Sequence, residues 1–299
     1  STAKQRPEGG WLWKISGNGL SHPSYLFGTY HGTYDILYQY TDSIPELHQA
    51  FNACSQFAGE SETTSKPTPA QVGVAIKLPK DTTYADLLNK EDFHFLDSIV
   101  RQSLKSPLNK VYIKPNFLAL ILGEIEKGKK LVDTGYSQSQ IDSMKSQVMD
   151  IALEKKAKEK GLTIVGLEGI FDAFVSEKSN LKKEADELIS DLREDDEISP
   201  LSFVNTLSDV YRTQNMKSLI DFEVKVDSIF RTSPKLTEIG KRIREDLLKR
   251  RNLNWMNKIP ELMKAQPTFI AVGVRHLPGK DGLIALLLEK GYQVEPIGL

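Results

Sequence analysis

A chain of 299 residues, 39% hydrophobic and 26% charged, is long enough for one large domain or two ordinary ones with a sizeable core. Its net charge of −1 excludes a broad electrostatic pull toward nucleic acid or anionic lipid, and its single cysteine excludes an internal disulfide and any multi-cysteine metal centre. The longest apolar runs, 117–122 and 283–288, fall far short of the roughly 20 residues that a membrane-spanning helix needs.

The chain starts at Ser1 rather than Met, as expected of a trimmed form that has lost a targeting segment, and residues 1–10 read as a flexible lead-in. Residues 11–16 alternate apolar and polar, then meet Gly17-Asn18-Gly19, a hairpin signal. The second strand follows in Ser24-Tyr25-Leu26-Phe27-Gly28-Thr29-Tyr30-His31, an apolar run ending in Gly-x-x-His. Leu47, Ala50, Phe51 and Cys54 recur at helical spacing after Pro45, and a short strand at 56–59 ends at Glu60. From Ser61 the chain turns helical and more polar, with helices expected at 84–104, 115–129 and 143–160. Gly161 caps the last of these, and a strand at 162–167 ends at Glu168. Leu181, Ala185, Leu188 and Leu192 form one stripe of a charged helix. Pro200 and Pro234 punctuate further helices, 201–230 with an interruption at 213–215, and 235–258 as one long amphipathic helix. The chain closes with strand 268–273, which leads into a second Gly-x-x-His, Gly273-Val274-Arg275-His276, then a helix from about 279 to 290 and a strand at 292–296.

This order predicts an α/β fold: a mixed central sheet built from the N- and C-terminal parts, flanked by helices, with a long helical middle region. No Pro/Gly-rich linker divides the chain, so residues 1–299 read as a single domain. Residues 181–258 form a helical insertion that could close over a site as a lid or pair two copies into a homo-oligomer.

Four apolar runs deliver a polar side chain at their carboxyl ends, where α/β sheets place ligand sites. His31 and His276 arrive by the same device from opposite ends of the chain. Alone, either is a capped strand-end histidine; as a pair they point to one shared site, because imidazole is the usual neutral ligand of divalent metals and the usual base near neutral pH. Glu60 and Glu168 end apolar runs where Asn, Ser or Gly would be bland; each could ligate a metal, take a proton or pair with a cation, or only favour a helix N-terminus. Glu62 and Asp150 are weaker candidates of the same kind. Leu247, Leu248, Trp255 and Ile259 mark the buried stripe of the long helix; Arg251 follows Leu248 by three residues and precedes Trp255 by four, so it falls on that stripe. A guanidinium there needs an anion, and could form a structural ion pair or stabilise an oxyanion. Cys54 reads as core, and His22, His48 and His94 as surface. There is no Gly-x-Ser-x-Gly elbow, Walker loop or His-Glu-x-x-His.

The ordered set Leu12-Trp13-Lys14-Ile15 with the first Gly-x-x-His, Ala50-Phe51 through Glu60, Met149-Asp150 with Gly166-Leu167-Glu168, Arg251-Asn252 with Trp255, and the tail from Ala271 through Pro296 resembles the TraB/GumN family, which is similar to the Tiki proteins. The resemblance implies a fold related to the erythromycin esterase and haem-binding ChaN type. For Tiki-like members it also implies divalent-metal-dependent peptide cleavage favouring manganese or cobalt, and the wider family context implies a bacterial envelope or periplasmic location. The corresponding positions are His31, Glu60, His276 and Arg251. Arg275 and Phe171-Asp172-Ala173 depart from the family pattern beside the expected site.

The expected function is a metal-dependent hydrolase, most simply a peptidase acting on a peptide or small protein, with no nucleic-acid partner. His31, Glu60 and His276 hold one divalent ion (manganese, cobalt or zinc), leaving a position for a water nucleophile. Glu168 takes the proton and Arg251 orients a carboxylate or an oxyanion. The alternatives are a peptide- or signal-binding protein without turnover and a haem or tetrapyrrole binder, the latter suggested by fold analogy alone.

Overall fold

The structure, a computed structural model, describes residues 8–62, 67–172, 180–193 and 200–298, with backbone only for 200–205. The expected lead-in at residues 1–10 lies mostly outside them. The opening hairpin forms as its sequence dictates. β1 (Leu12–Ser16) pairs antiparallel with β2 (Ser24–Thr29), Leu12 opposite Phe27. In the turn, the Leu20 N–H donates to the Gly17 carbonyl at 3.0 Å, and Asn18 and Gly19 take φ of +48° and +83°, the left-handed pair of a type I′ turn.

The remaining elements follow as α1 (Pro45–Asn52), β3 (Gln56–Gly59), α2 (Pro69–Ile76), α3 (Tyr84–Leu87), α4 (Lys90–Leu104), α5 (Pro115–Asp133), α6 (Gln138–Ser146), α7 (Met149–Glu159) and β4 (Thr163–Gly166). Then come α8 (Leu181–Arg193), α9 (Pro200–Arg212), α10 (Met216–Phe230), α11 (Pro234–Arg242), α12 (Arg250–Trp255), α13 (Ile259–Ala265), β5 (Thr268–Gly273), α14 (Leu283–Glu289) and β6 (Gln293–Pro296).

The six strands make one mixed sheet in the order β4-β3-β5-β2-β1-β6. The expected α/β class is therefore observed. β4, β3, β5 and β2 run parallel to one another, and β1 is antiparallel to both β2 and β6. Gly59 lies opposite Gly166 on one side and Ala271 on the other, and Thr29 lies opposite Gly273. Four parallel strands thus end on one edge. Every residue of β5 is buried, as a central parallel strand covered on both faces requires. Phe269 stacks on Phe57 (centroids 6.2 Å apart, planes 10° apart) and meets Phe51 edge-on at 5.1 Å. Each such burial contributes roughly 1.5–3 kcal/mol. Tyr211 of α9 stacks on Trp11 and donates its hydroxyl to the Gly28 carbonyl at 2.7 Å, which fixes the end of β2.

The chain packs as two compact units. The first takes the described residues of Ser1–Ser65, Met144–Ala173 and Pro200–Leu299, including the whole sheet. The second takes those of Lys66–Ser143 and Phe174–Ser199. Its core joins Leu96 and Val100 of α4, Leu118 of α5 and Ala185 and Leu188 of α8, with Tyr84 buried and donating to the Ile113 carbonyl at 2.8 Å. The stretch read as one insertion, 181–258, is divided: α8 belongs to the second unit and α9 to α12 to the first. No described helix is long and apolar enough to cross a membrane.

Two expected helices differ in their course. The span 143–160 is broken at Gln147-Val148, where the Gln147 carbonyl accepts the Tyr38 N–H at 2.7 Å instead of a helical partner. Asp150 consequently sits in the first turn of its own helix, α7. The span 235–258 opens into a π-helical segment at Ile243–Lys249 before α12. Leu247 falls there and is 42% exposed rather than on the buried stripe. Cys54 lies just past α1, buried, with its thiol pushed up to about 12 by burial, as a core residue would be.

Candidate functional site

The sheet register determines what meets at its edge. Glu60 directly follows β3, Glu168 comes two residues after β4, His31 two after β2, and His276 closes a 3₁₀ turn after β5. The Glu168 N–H donates to the Glu60 carbonyl at 2.9 Å, which extends the β3–β4 pairing through both glutamates. Residues far apart in sequence therefore share one edge of the sheet because parallel strands all finish there.

Arg251 enters from α12. Its Nε donates to Glu168 Oε1 at 3.1 Å and Oε2 at 3.2 Å, and its Nη2 reaches both Glu168 Oε1 and Glu60 Oε2. Its side chain is 14% exposed. Trp255, one helical turn later and fully buried, donates Nε1 to Glu168 Oε2 at 3.1 Å and lies 4.8 Å beneath the guanidinium. The remaining oxygen of Glu60 accepts the Gly273 N–H at 2.8 Å. Burial tends to lower the guanidinium's affinity for its proton, but Glu168 and Glu60 outweigh that and raise it, so Arg251 stays charged. For Glu60, burial pushes upward, while electrostatic coupling to His276, Arg251 and His31, with the Gly273 N–H, pulls its carboxyl down to about 2.

His276 is buried against Trp255, ring centroids 4.5 Å apart. Asn252 decides its tautomer. The Asn252 amide donates Nδ2–H to two carbonyls, His276 O at 3.2 Å and Asp281 O at 2.9 Å, so its Oδ1 must accept from His276 Nδ1 at 2.7 Å. Nε2 then carries a lone pair, directed at Arg251 Nη1 (3.4 Å) and near Glu60 Oε1 (3.8 Å). Burial first, then the charges of Arg251, His31 and Arg275, lower the imidazole to about 3 against the opposing pull of Glu60. At neutral pH His276 is uncharged, and Arg251 is the cation that holds Glu60 ionised.

His31 is exposed at the mouth of a cavity of about 250 Å³, whose lining includes His31, Glu60, Asp150 and Glu154. No hydrogen bond to its ring is found among the described residues. Gly273 leaves room between the histidines: a Cβ built there would stand 3.2 Å from His31 Nε2, 3.3 Å from Glu60 Oε1 and 3.6 Å from His276 Cδ2. Asp150 accepts the Thr29 hydroxyl on Oδ1 at 2.8 Å, while its Oδ2 is closed from solvent and has no hydrogen-bond partner among the described residues. Burial, with help from Glu60, raises its carboxyl above the usual range.

All five residues singled out as metal ligands or catalytic groups, His31, Glu60, Glu168, Arg251 and His276, thus lie around one edge. Of the weaker candidates, Asp150 is there, whereas Glu62 pairs with Lys158 at 3.6 Å. His22 and His94 are exposed, and His48 pairs with Asp42 at the surface. Arg275, a departure from the family pattern, is held by Glu223 at 2.7 and 3.0 Å. Sequence reasoning missed the donor role of Trp255 and the cavity-lining Glu154. The i,i+4 spacing of Arg251 to Trp255 and of Asp150 to Glu154 is the signal that finds both.

A family model described as the TraB/PrgY/gumN family matches residues 11–296, nearly the whole chain. The chain belongs to this family. No curated protein and no solved structure matches it. The expectation drawn from the TraB/PrgY/gumN resemblance is therefore correct at the level of the family.

Among the described residues no three His, Cys, Asp or Glu side chains stand in metal-holding geometry. Arg251 occupies one Glu60 oxygen and faces His276 Nε2. In donor type the edge fits: two imidazoles, one with its lone pair fixed inward, a carboxylate ionised at neutral pH, and a buried carboxylate oxygen with no hydrogen-bond partner among the described residues.

Proposed function

We propose that this TraB/PrgY/gumN chain is a divalent-metal-dependent hydrolase acting on a peptide or small protein, with His31, Glu60 and His276 as ligands. The observation that carries this is the inward lone pair of His276, set by Asn252, on the same edge as His31 and Glu60. Metal-binding histidines are held in this way by a partner on the other ring nitrogen. Manganese, cobalt or zinc bound there would supply Lewis-acid chemistry, acidifying a water and polarising a carbonyl.

The protein's own groups do the rest. Arg251 presents a fixed, desolvated positive charge that suits a substrate carboxylate or a developing oxyanion. Glu168 anchors Arg251 and, with Trp255, keeps it aimed at the edge. When a substrate anion draws Arg251 away, a Glu168 oxygen is released to accept a proton. Asn252 keeps His276 oriented throughout. The cavity beside His31 is of a size for one side chain or terminus of a peptide rather than a folded protein. The cell-envelope location implied by the resemblance belongs to the same proposal.

The test is cleavage of a peptide library by the full chain after removal of metal and after return of manganese or cobalt. Cleavage that stops on removal, returns on addition and is lost in Arg251→Lys is the expected result. Metal binding without any cleavage would replace the hydrolase by a binding protein.

A further inference from the structure

The cavity beside His31 has an unusual lining. Three carboxylates, Glu60, Asp150 and Glu154, face it with one imidazole, and no lysine or arginine is among its described lining residues. Arg251 compensates Glu60 from outside that lining, but among the described residues no cation pairs with Asp150. Asp150 is the second residue of α7, placed there by the break at Gln147-Val148. Thr29, the last residue of β2 and two before His31, donates to Oδ1 at 2.8 Å and so fixes the carboxylate plane. Oδ2 is left buried with no hydrogen-bond partner among the described residues. A buried polar atom in that state is destabilising unless something completes it, and an acidic cavity offers a cation as the completing group.

We propose that Asp150 is a further ligand of the divalent ion, binding through Oδ2, with Thr29 as the positioning residue that orients it. This rests on the metal-dependent reading of the same edge. It extends the ligand set in a definite way: Asp150 joins His31, Glu60 and His276 from the cavity side, where no lysine or arginine is among the described lining residues. A hard carboxylate added to mixed nitrogen and oxygen donors favours manganese over softer ions.

Calorimetric titration of the full, metal-stripped chain with manganese chloride tests this, together with the melting temperature of each variant with and without the ion. The wild type is expected to bind one ion. Asp150→Asn is expected to weaken binding at least tenfold and to lose the manganese-induced rise in melting temperature, while melting no lower than the wild type without metal. Thr29→Val is expected to weaken binding by a smaller factor. Glu154→Gln removes the same charge from the cavity and is expected to weaken binding far less than Asp150→Asn. Equal affinity in wild type and Asp150→Asn would overturn the ligand role and leave the metal reading intact. Equal losses in Asp150→Asn and Glu154→Gln would show that only the cavity's charge matters, and would overturn it as well. No manganese binding by the wild type would overturn both this inference and the reading on which it rests.

Discussion

The two sides of the sheet edge solve the same electrostatic problem in opposite ways. On the Arg251 side, Glu60, Glu168, His276, Asn252 and Trp255 satisfy one another through charged and neutral hydrogen bonds. On the cavity side, Asp150 keeps an oxygen without a partner, and the His31 ring receives no hydrogen bond among the described residues. A saturated network stabilises and orients; an unsaturated one is prepared for something not made of protein. The lesson is that the buried charges of a site need not share one role. Arg251 completes the fold on its side, and the cavity is where chemistry has room to occur.

The largest effect should follow from breaking the saturated side. Arg251→Met leaves Glu60 and Glu168 buried without their cation and is expected to destabilise the fold by about 3–5 kcal/mol, measured by denaturant unfolding. Asn252→Ala is expected to cost roughly 1–3 kcal/mol, because His276 Nδ1–H loses its acceptor in a buried setting, and to weaken metal binding as the ring loses its fixed tautomer. Trp255→Phe keeps the ring under Arg251 but removes the Nε1–H donor to Glu168; about 1–2 kcal/mol is expected. Gly273→Ala is the sharper probe. Its methyl group would meet His31 Nε2 and Glu60 Oε1 at 3.2 and 3.3 Å, a squeeze of about 1 kcal/mol that closes the space between the donors. Near-normal stability with lost manganese binding is the expected result.

Acid should act on the saturated side before any substitution. His276 and Glu60 both titrate lower in the folded protein than in the unfolded chain, at about 3 and about 2 against ordinary values of 6.5 and 4.5. Between the folded and unfolded values the unfolded chain binds more protons, so stability falls as pH falls. The loss begins near pH 6.5 through His276 and steepens below pH 4.5 as Glu60 joins. Each proton taken up lowers the folding constant by about tenfold per pH unit. In metal-free buffer, His276→Gln is expected to flatten the upper part of that curve and leave the lower part.

Much of this was legible in the sequence, for physical reasons. Strand-end residues are easy to find because apolar runs announce parallel strands, and parallel strands share a carboxyl edge. That logic located His31, Glu60, Glu168 and His276 without any contact information. Arg251 was found by helical phase, although the phase is sound only toward Trp255. The link back to Leu247 and Leu248 crosses the π segment, where the 3.6-residue period fails. What stayed hidden depended on tertiary bonds. The break before α7 exists because Tyr38 takes the Gln147 carbonyl, a pairing no local pattern encodes. That break gives Asp150 its position in the first turn of α7. Equally, the second unit, formed from two separated stretches, carries no linker composition to betray it.

The most direct test of the central claim, that opposite ends of the chain meet in one metal site, is calorimetric binding of manganese and cobalt to the wild type, His31→Ala and His276→Ala. One ion bound in the micromolar range by the wild type, and lost in both variants, is the predicted result. No binding, or variants that bind as well as the wild type, would contradict it and leave the two histidines as ligand anchors or core fittings.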